Sequence, residues 1–292
     1  MDKMKKVLIT GGNGQLGLSI RKLSAEYSGL QLICIDIGDL DITDEKALSK
    51  FILEMRPDVI VNCAAYTAVD KAEEESEKAL LINAEAVYNI ARISKDQGIF
   101  MIHISTDYIF DGTAHKPYTE SDPANPVSSY GNSKLQGELK MIESGCAGMI
   151  IRTSWLYSEY GNNFLKTIRR LATERSELRI VEDQTGTPTY AGDLAKVIME
   201  IISNLKPSAG VEIYNYSNEG IVSWFGFART IVELGGYPCK VTPIPTSAYP
   251  LPARRPMFSV LSKEKIRKAF RIEIPQWEES LKVCLANMKP DK

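Results

Sequence analysis

The chain has 292 residues and a formal net charge of −2, so its bulk charge gives no basis for a nucleic-acid-binding surface. Hydrophobic residues make up 44% of it, and no run approaches the ~18 apolar residues of a membrane span. Its 5 cysteines are odd in number and form no CxxC, which disfavours a disulfide framework or a zinc site. The apolar run after the basic N-terminus is too short for a secretory segment. We therefore expect a cytoplasmic protein that has neither nucleic acid nor a membrane as a partner.

Short apolar runs alternate with longer amphipathic stretches through the first half of the chain. The predicted strands are 7–10, 32–35, 59–63 and 100–105, and the predicted helices are 15–26, 45–55 and 74–97. Near-continuous apolar strands between helices are typical of a parallel sheet that is covered on both faces. The pattern predicts an α/β fold, namely a doubly wound parallel sheet of the Rossmann type with right-handed crossovers.

The strict alternation of strand and helix weakens in the second half of the chain. A long loop is predicted at 111–127, a length that is usually functional inside a compact domain. It is followed by a predicted helix at 129–144, a strand at 149–153, a helix at 163–174 and a final helix at 276–288. We expect a dinucleotide-binding domain over 1–153. A smaller C-terminal lobe over 154–292 would mainly bind substrate, with some segments returning to the first domain.

A glycine loop follows the first predicted strand, with Gly11, Gly14 and Gly17 in a GxxGxxG pattern. Glycines there permit a tight turn, close approach of the backbone to a pyrophosphate and close helix packing. The N-terminus of the next helix favours phosphate, so the strand–loop–helix context predicts nucleotide binding. Asp36 lies close to the expected ~20 positions after Gly17, and Asp41 follows it. Either carboxylate could bind the adenosine ribose, which leaves the choice between NADH and NADPH open.

Tyr130 and Lys134 lie four positions apart, on one face of the predicted helix 129–144. A phenol has a pKa near 10 and is a poor acid–base catalyst at neutral pH, but a nearby ammonium should lower that pKa. Thr106 stands at the end of a predicted strand, where its hydroxyl could hold a substrate oxygen while Tyr130 delivers the proton. These residues predict a nicotinamide-dependent oxidoreductase.

Longer motifs extend over essentially the whole chain. They are PDVIVN at 57–62, AYTAVDKAE at 65–73, STDYIFDG at 105–112, RTSW at 152–155, GNNF at 161–164 and PARRP at 252–256. With the glycine loop and the tyrosine–lysine pair, they resemble the extended short-chain dehydrogenase/reductases, and more closely the dTDP-4-dehydrorhamnose reductase family. The resemblance implies reduction of the C4 ketone of dTDP-4-dehydro-L-rhamnose by NADH or NADPH. This is the last step of dTDP-L-rhamnose biosynthesis for cell-surface polysaccharide.

The resemblance also implies roles for individual residues. Thr106 would orient the ketone, Tyr130 would protonate the new alkoxide, and Lys134 would tune Tyr130 and bind the nicotinamide ribose. The resemblance and the glycine loop together imply a set of cofactor-binding residues. The set comprises Gly11, Asn13, Gly14, Gln15, Leu16, Gly17, Asp36, Asp41, Ile42, Ala64, Ala65, Tyr66, Thr67, Ile104, Tyr130 and Lys134.

The sugar nucleotide would be bound by residues from the later motifs. Asp107 and Trp155 would contact it together with Thr106. Arg254 or Arg255 could bind its pyrophosphate through a guanidinium fork, although both could instead be solvated surface side chains.

Two departures from related sequences bear on function. Sugar-nucleotide dehydratases of the superfamily carry a glutamate where this chain has Tyr108, which favours reduction over elimination of water. Some family members dimerise around Mg²⁺ held by glutamates, whereas Ser19 and Gly192 at two of those positions cannot supply carboxylates. This disfavours a metal-bridged dimer and leaves monomer and homodimer open. Two other functions also stay open: a non-catalytic regulatory subunit, and a reductase or epimerase for another nucleotide sugar.

Three further features have simple structural interpretations. The glutamates at 73–75 and 77 are expected to be a solvated helix start, because consecutive helical residues point in different directions. His103 is expected to pack within a strand without a catalytic partner, and His115 to lie at the surface. Trp224 is expected to serve helix packing.

Overall fold

A computed structural model describes residues 4–206 and 209–288 of the chain. The strands are β1 Lys5–Thr10, β2 Leu30–Ile35, β3 Val59–Asn62, β4 Phe100–Thr106, β5 Gly148–Thr153, β6 Leu156–Tyr157, β7 Glu177–Val181, β8 Thr185–Gly186, β9 Thr189–Tyr190, β10 Val211–Asn215, β11 Val222–Ser223 and β12 Lys240–Ile244. The helices are α1 Gln15–Lys22, α2 Glu45–Met55, α3 Ser76–Leu80, α4 Ala86–Gln97, α5 Ser129–Ser144, α6 Phe164–Glu174, α7 Ala191–Ser203, α8 Trp224–Gly235, α9 Glu264–Phe270 and α10 Trp277–Asn287. Residues 1–3 of the predicted first domain and 289–292 of the predicted lobe lie outside the described residues.

Six of the strands form one parallel sheet with the spatial order β10-β5-β4-β3-β1-β2. The predicted doubly wound parallel sheet is therefore confirmed. The strand order reverses beside β1, because β2 lies on one side of it and β3 on the other. Ligands of such sheets bind at this reversal, beyond the carboxyl ends of the strands. The glycine loop follows β1 at that place.

Helices cover both faces of the sheet because successive strand residues point to opposite sides. Val7 and Ile9 of β1 pack in one apolar cluster with α1 and α7. Leu8 packs in a second cluster on the other face, with α2 and α4. Full burial of such a side chain stabilises the fold by about 1.5–3 kcal/mol. None of the helices in the described part of the chain is both long and apolar enough to span a membrane.

The second half of the chain contributes to the sheet and also builds a core of its own. β10 pairs with β5 at the edge of the sheet, and α7 packs against α1. Helices α6, α8 and α10 bury a separate apolar cluster that includes Leu165, Phe227, Ile231, Trp277 and Leu281. The boundary at residue 153 stays a prediction.

Two predicted helices are shortened or divided in the structure, by more than one residue at an end. The helix predicted over 15–26 ends at Lys22 and is followed by a 3-10 turn at Ser24–Glu26. The helical region predicted over 74–97 is divided by a π-helical turn, Leu81–Glu85, between α3 and α4. The carbonyl oxygen of Asn83, in this wide turn, lies against Gly137 of α5. A Cβ atom at position 137 would collide with that oxygen. The close approach of α5 thus depends on a glycine at that position.

Candidate active site

The glycine loop joins β1 to α1 in a conformation that its glycines permit. Gly11 has a φ of 64°, and a Cβ built on it would lie 2.7 Å from the backbone nitrogen of Ala64. A Cβ on Gly17 would lie 2.5 Å from the carbonyl oxygen of Gly11, so Gly17 allows α1 to pack against the loop. Gly14 is the N-cap residue of α1 and faces the open side. Any larger residue at 11 or 17 would displace the loop.

A cleft of about 1200 Å³ opens above the carboxyl ends of the central strands. It brings together most of the residues that the sequence predicts for the site, namely Gly11, Asn13, Gly14, Gln15, Leu16, Asp36, Asp41, Ile42, Ala64, Ala65, Thr67, Ile104, Thr106, Asp107, Tyr130, Lys134, Trp155 and Arg255. Three predicted residues lie outside this lining. Gly17 lies beneath the loop, the buried Tyr66 donates its hydroxyl to Glu75 at 3.0 Å, and Arg254 is exposed.

The two candidate ribose-binding carboxylates differ in their contacts. Asp36 accepts hydrogen bonds from the backbone N–H groups of Asn13 and Ile37, each at 2.8 Å, and so fastens the glycine loop to the end of β2. Asp41 accepts from the backbone N–H and the hydroxyl of Thr43, at 2.9 and 2.7 Å. Both line the cleft. Contact of either carboxylate with a ribose stays a prediction.

Helix α5 has the bounds predicted from the sequence, Ser129–Ser144, and carries two of the predicted catalytic residues. The Ser128 hydroxyl caps it by accepting from the backbone N–H of Gly131 at 3.2 Å. Glu73 also accepts from the backbone and hydroxyl of Ser129, at 2.8 and 2.9 Å. Glu73 is exposed, as predicted for this glutamate run, and its carboxylate also makes this long-range contact, which local spacing does not reveal.

The geometry of α5 directs Tyr130 and Lys134 toward the end of β4. Lys134 is only 2% exposed, and its Nζ donates to the Ile104 carbonyl at 2.7 Å. Burial lowers the pKa of Lys134 to about 8, although the nearby Glu138 carboxylate opposes that change. The ammonium therefore has a fixed place at the floor of the cleft.

The pKa of Tyr130 differs from the expectation. Burial raises it to about 12, an effect that the Thr106 hydroxyl opposes and the Asp107 carboxylate reinforces. The prediction that Lys134 lowers the pKa of this phenol is wrong for this structure. Desolvation raises the pKa of Tyr130 more than attraction between its phenolate and the Lys134 ammonium lowers it. Lys134 donates instead to the Ile104 carbonyl.

Asp107 is a buried carboxyl group at the cleft, only 2% exposed. Its Oδ1 accepts from the Thr106 hydroxyl at 3.2 Å. Burial raises the pKa of Asp107 to about 7, and hydrogen bonds from Ser259 and Thr106 reduce the effect. Burial thus favours the protonated form of this carboxyl group.

We expect Asp107→Asn to flatten the dependence of folding stability on pH. The carboxyl has a pKa of about 7 in the fold against a model value of 3.8, so the folded state binds more protons between these values. The contribution of this carboxyl to the free energy of unfolding must then fall as the pH rises from about 4 to about 7. Urea unfolding of the native protein and of the variant at pH 5 and pH 8 measures this contribution as the difference between their pH dependences. The same pH dependence in both proteins would contradict the burial argument.

An aromatic wall closes one side of the cleft. Trp155 has a φ of 47°, a conformation that costs a non-glycine residue about 1–3 kcal/mol. Its ring stacks on Trp224, with centroids 3.5 Å apart and an interplanar angle of 8°. A Cβ on Gly186 would lie 2.7 Å from the Trp155 ring, so this glycine makes room for it. Trp224 packs against Phe164 of α6, as the prediction of helix packing requires, and it also lines the cleft where it stacks on Trp155.

Arg255 lies at the cleft as predicted, but its guanidinium is engaged within the chain. Its Nη1 and Nη2 donate to the two carboxylate oxygens of Asp70, at 3.0 and 2.7 Å. The backbone N–H of Ala253 also donates to Asp70, at 3.2 Å. The PARRP segment is thereby held against the loop that follows β3. A role of Arg254 or Arg255 in binding pyrophosphate stays a prediction.

Sequence reasoning missed two polar residues that support the site. Asn83 accepts from the backbone N–H of Tyr66 at 2.8 Å and donates to its carbonyl and to the Ser133 hydroxyl, at 3.0 and 2.9 Å. Ser133 in turn donates to the Tyr130 carbonyl at 2.8 Å. Asn83 therefore ties the loop after β3 to the turn that carries Tyr130. A lone asparagine in a helical stretch carries no local signal of such a role.

His103 packs inside β4, as predicted, and is fully buried. Its Nε2 lies 3.4 Å from the Lys134 Nζ, a contact that the sequence does not reveal, and the absence of a catalytic partner stays a prediction. As for metals, the described residues contain no group of three or more His, Cys, Asp or Glu that could hold an ion.

The chain is similar to known proteins over nearly its full length. A family model described as the RmlD substrate binding domain matches residues 4–289. A dTDP-4-dehydrorhamnose reductase of Burkholderia thailandensis is 40% identical, over 97% of this chain and 99% of the relative.

Two solved structures share the fold in detail. The dTDP-4-dehydrorhamnose reductase of Clostridium acetobutylicum superposes with a TM-score of 0.90 at 42% identity, covering 96% of this chain and 98% of that one. The reductase of Bacillus anthracis, solved in complex with NADP, gives a TM-score of 0.91 at 38% identity, covering 97% and 99%. Together with the glycine loop and the tyrosine–lysine pair in one cleft, this similarity places the chain in the dTDP-4-dehydrorhamnose reductase family.

Proposed function

We propose that this chain reduces the C4 ketone of dTDP-4-dehydro-L-rhamnose to give dTDP-L-rhamnose, with NADPH or NADH as the reductant. The observation that carries the proposal is the meeting of Thr106, Tyr130 and Lys134 in the cleft that also contains the glycine loop. The chain's membership of its family supplies the identity of the sugar.

The residues around the cleft fit a nicotinamide dinucleotide. The loop through Gly11 and Gly14 lines the cleft with backbone, and the N-terminus of α1 favours negative charge. Asp36 and Asp41 line the cleft after β2, where they could meet the adenosine ribose, while Lys134 lines it beside β4. When bound, the cofactor supplies the hydride.

The chain's own residues would hold the ketone and supply the proton. Thr106 ends β4 with its hydroxyl beside Tyr130, so it can hold the ketone oxygen within reach of the phenol. A pKa of about 12 keeps Tyr130 protonated at neutral pH, as a proton donor for reduction must be. An alkoxide is a stronger base than a phenolate, so proton transfer from Tyr130 to the product is favourable.

Tyr108 supports reduction over elimination of water. Its ring meets that of Tyr130 edge-on, with centroids 5.8 Å apart, at the position where dehydratases carry a glutamate. Burial raises the pKa of Tyr108, so this phenol cannot replace a carboxylate base at neutral pH.

The test is an assay of the purified protein with NADPH or NADH and dTDP-4-dehydro-L-rhamnose, followed at the nicotinamide absorbance band. We expect loss of absorbance and formation of dTDP-L-rhamnose. Cofactor binding without turnover would instead support a regulatory subunit. Turnover of another nucleotide sugar, but not of dTDP-4-dehydro-L-rhamnose, would support a reductase or epimerase for that other sugar.

We expect Asp36→Ala to weaken NADH and NADPH binding equally, by roughly tenfold or more, since hydrogen bonds to a charged group contribute about 1.5–3 kcal/mol. The reason is that Asp36 fastens the glycine loop through the Asn13 N–H. Fluorescence titration with each cofactor measures the two affinities, and Asp41→Ala is the companion variant. A loss confined to NADH would show that Asp36 acts on the ribose rather than on the loop.

A further inference from the structure

A row of polar side chains crosses three neighbouring strands of the otherwise apolar sheet. The strand register pairs Thr10 of β1 with Asn62 of β3, and Asn62 with His103 of β4. Residues paired in this way project from the same face of a sheet. Their exposed fractions are 1%, 0% and 0%, so each polar group needs a partner within the protein.

The hydrogen bonds along this row have a defined direction. The backbone N–H of Ala64 donates to Thr10 Oγ1 at 3.4 Å, and the Thr10 hydroxyl donates to Asn62 Oδ1 at 2.6 Å. The Asn62 amide then has its Nδ2 toward His103 Nδ1, at 3.0 Å. Since an amide nitrogen only donates, Nδ1 must accept.

The second ring nitrogen of His103 faces the active site. Nε2 lies 3.4 Å from the Lys134 Nζ, which also donates to the Ile104 carbonyl at 2.7 Å. Burial, reinforced by the charge of Lys134, holds the pKa of His103 well below its usual value, so the ring is neutral. A neutral imidazole that accepts at Nδ1 carries its proton on Nε2.

We propose that His103 is a positioning residue whose Nε2–H, fixed by Asn62, faces Lys134 and favours its amine over its ammonium. The inference rests on the proposed role of Lys134 in the reaction. An N–H donor opposite an ammonium is repulsive, whereas it can hydrogen-bond the lone pair of an amine. Glu138 on α5 and Cys63 after β3 act in the opposite direction and favour the ammonium.

The proposal assigns a tautomer that NMR can observe without any enzymatic assay. The chain has 2 histidines, His103 and His115, so the variant His115→Gln leaves one imidazole. In a long-range ¹H–¹⁵N correlation spectrum we expect Nε2 protonated and Nδ1 bare, with no titration between about pH 5.5 and 9, although an unperturbed His titrates near 6.5. A proton on Nδ1, or a pKa near that usual value, would overturn the proposal.

A matched pair of variants tests the effect on Lys134. In His103→Gln the amide oxygen can face Nζ and accept from it, so the basic limb of the pH profile of kcat should move upward by about half a unit or more. His115→Gln, the same change in an exposed loop, should leave the profile unchanged. The proposal would be overturned if His103→Gln kept both the kcat and the basic limb of the unsubstituted protein. Absence of turnover in the unsubstituted protein would refute the proposed function but not the tautomer. The NMR experiment still tests that tautomer if His103→Gln fails to fold.

Discussion

Tyr130→Phe is expected to lower kcat for ketone reduction by roughly 10²–10⁴-fold, the range that a positioned general acid contributes. The change removes the only atom of this side chain that carries an acidic proton and keeps the ring that packs edge-on against Tyr108. Cofactor affinity should therefore change little. Steady-state rates at the nicotinamide band measure the first effect, and fluorescence titration with NADPH measures the second.

The matched control is Tyr88→Phe, the same substitution on helix α4. Tyr88 lies outside the cleft, where its ring contacts the Lys140 ammonium at 5.3 Å. This variant should keep the kcat of the unsubstituted protein. If Tyr130→Phe also retained that rate, another group would have to be the proton donor.

Arg152→Met is expected to lower the free energy of unfolding by about 3–5 kcal/mol, because it leaves a buried carboxylate without its partner. Arg152 of β5 and Glu138 of α5 are 4% and 1% exposed. Three hydrogen bonds of 3.0, 3.2 and 2.7 Å join them, and the Arg152 guanidinium also lies 5.4 Å from the Phe110 ring centroid. Urea unfolding at pH 7 measures the loss.

Arg170→Met is the surface control for this substitution. Arg170 pairs with Glu174 at 3.0 Å one helical turn away, but the two side chains are 61% and 50% exposed. Such pairs contribute about 0–1 kcal/mol. The double variant Arg152→Met with Glu138→Leu should recover part of the lost stability, since it removes the unpaired charge. Equal losses in Arg152→Met and Arg170→Met would show that burial does not govern the energy of this pair.

The features that the sequence predicts well have signals within a few residues. The capped helix at 129–144 has its predicted bounds because Ser128 and Gly145 mark its ends. The glycine loop is identified by its spacing and by its place between strand and helix. Tyr130 and Lys134 lie on one face of a helix because they are four residues apart. None of these conclusions needs a distant part of the chain.

Other features depend on contacts between distant parts of the chain. The pKa of Tyr130 rises because packing removes water from it, and no local pattern reports that desolvation. Asp70 and Arg255 meet across 185 positions, and Asn62 and His103 meet across 41. Local periodicity determined which residues form strands and helices. The register between strands and the docking of α5, set by the packing of the whole core, decided which side chains meet and which protons they hold.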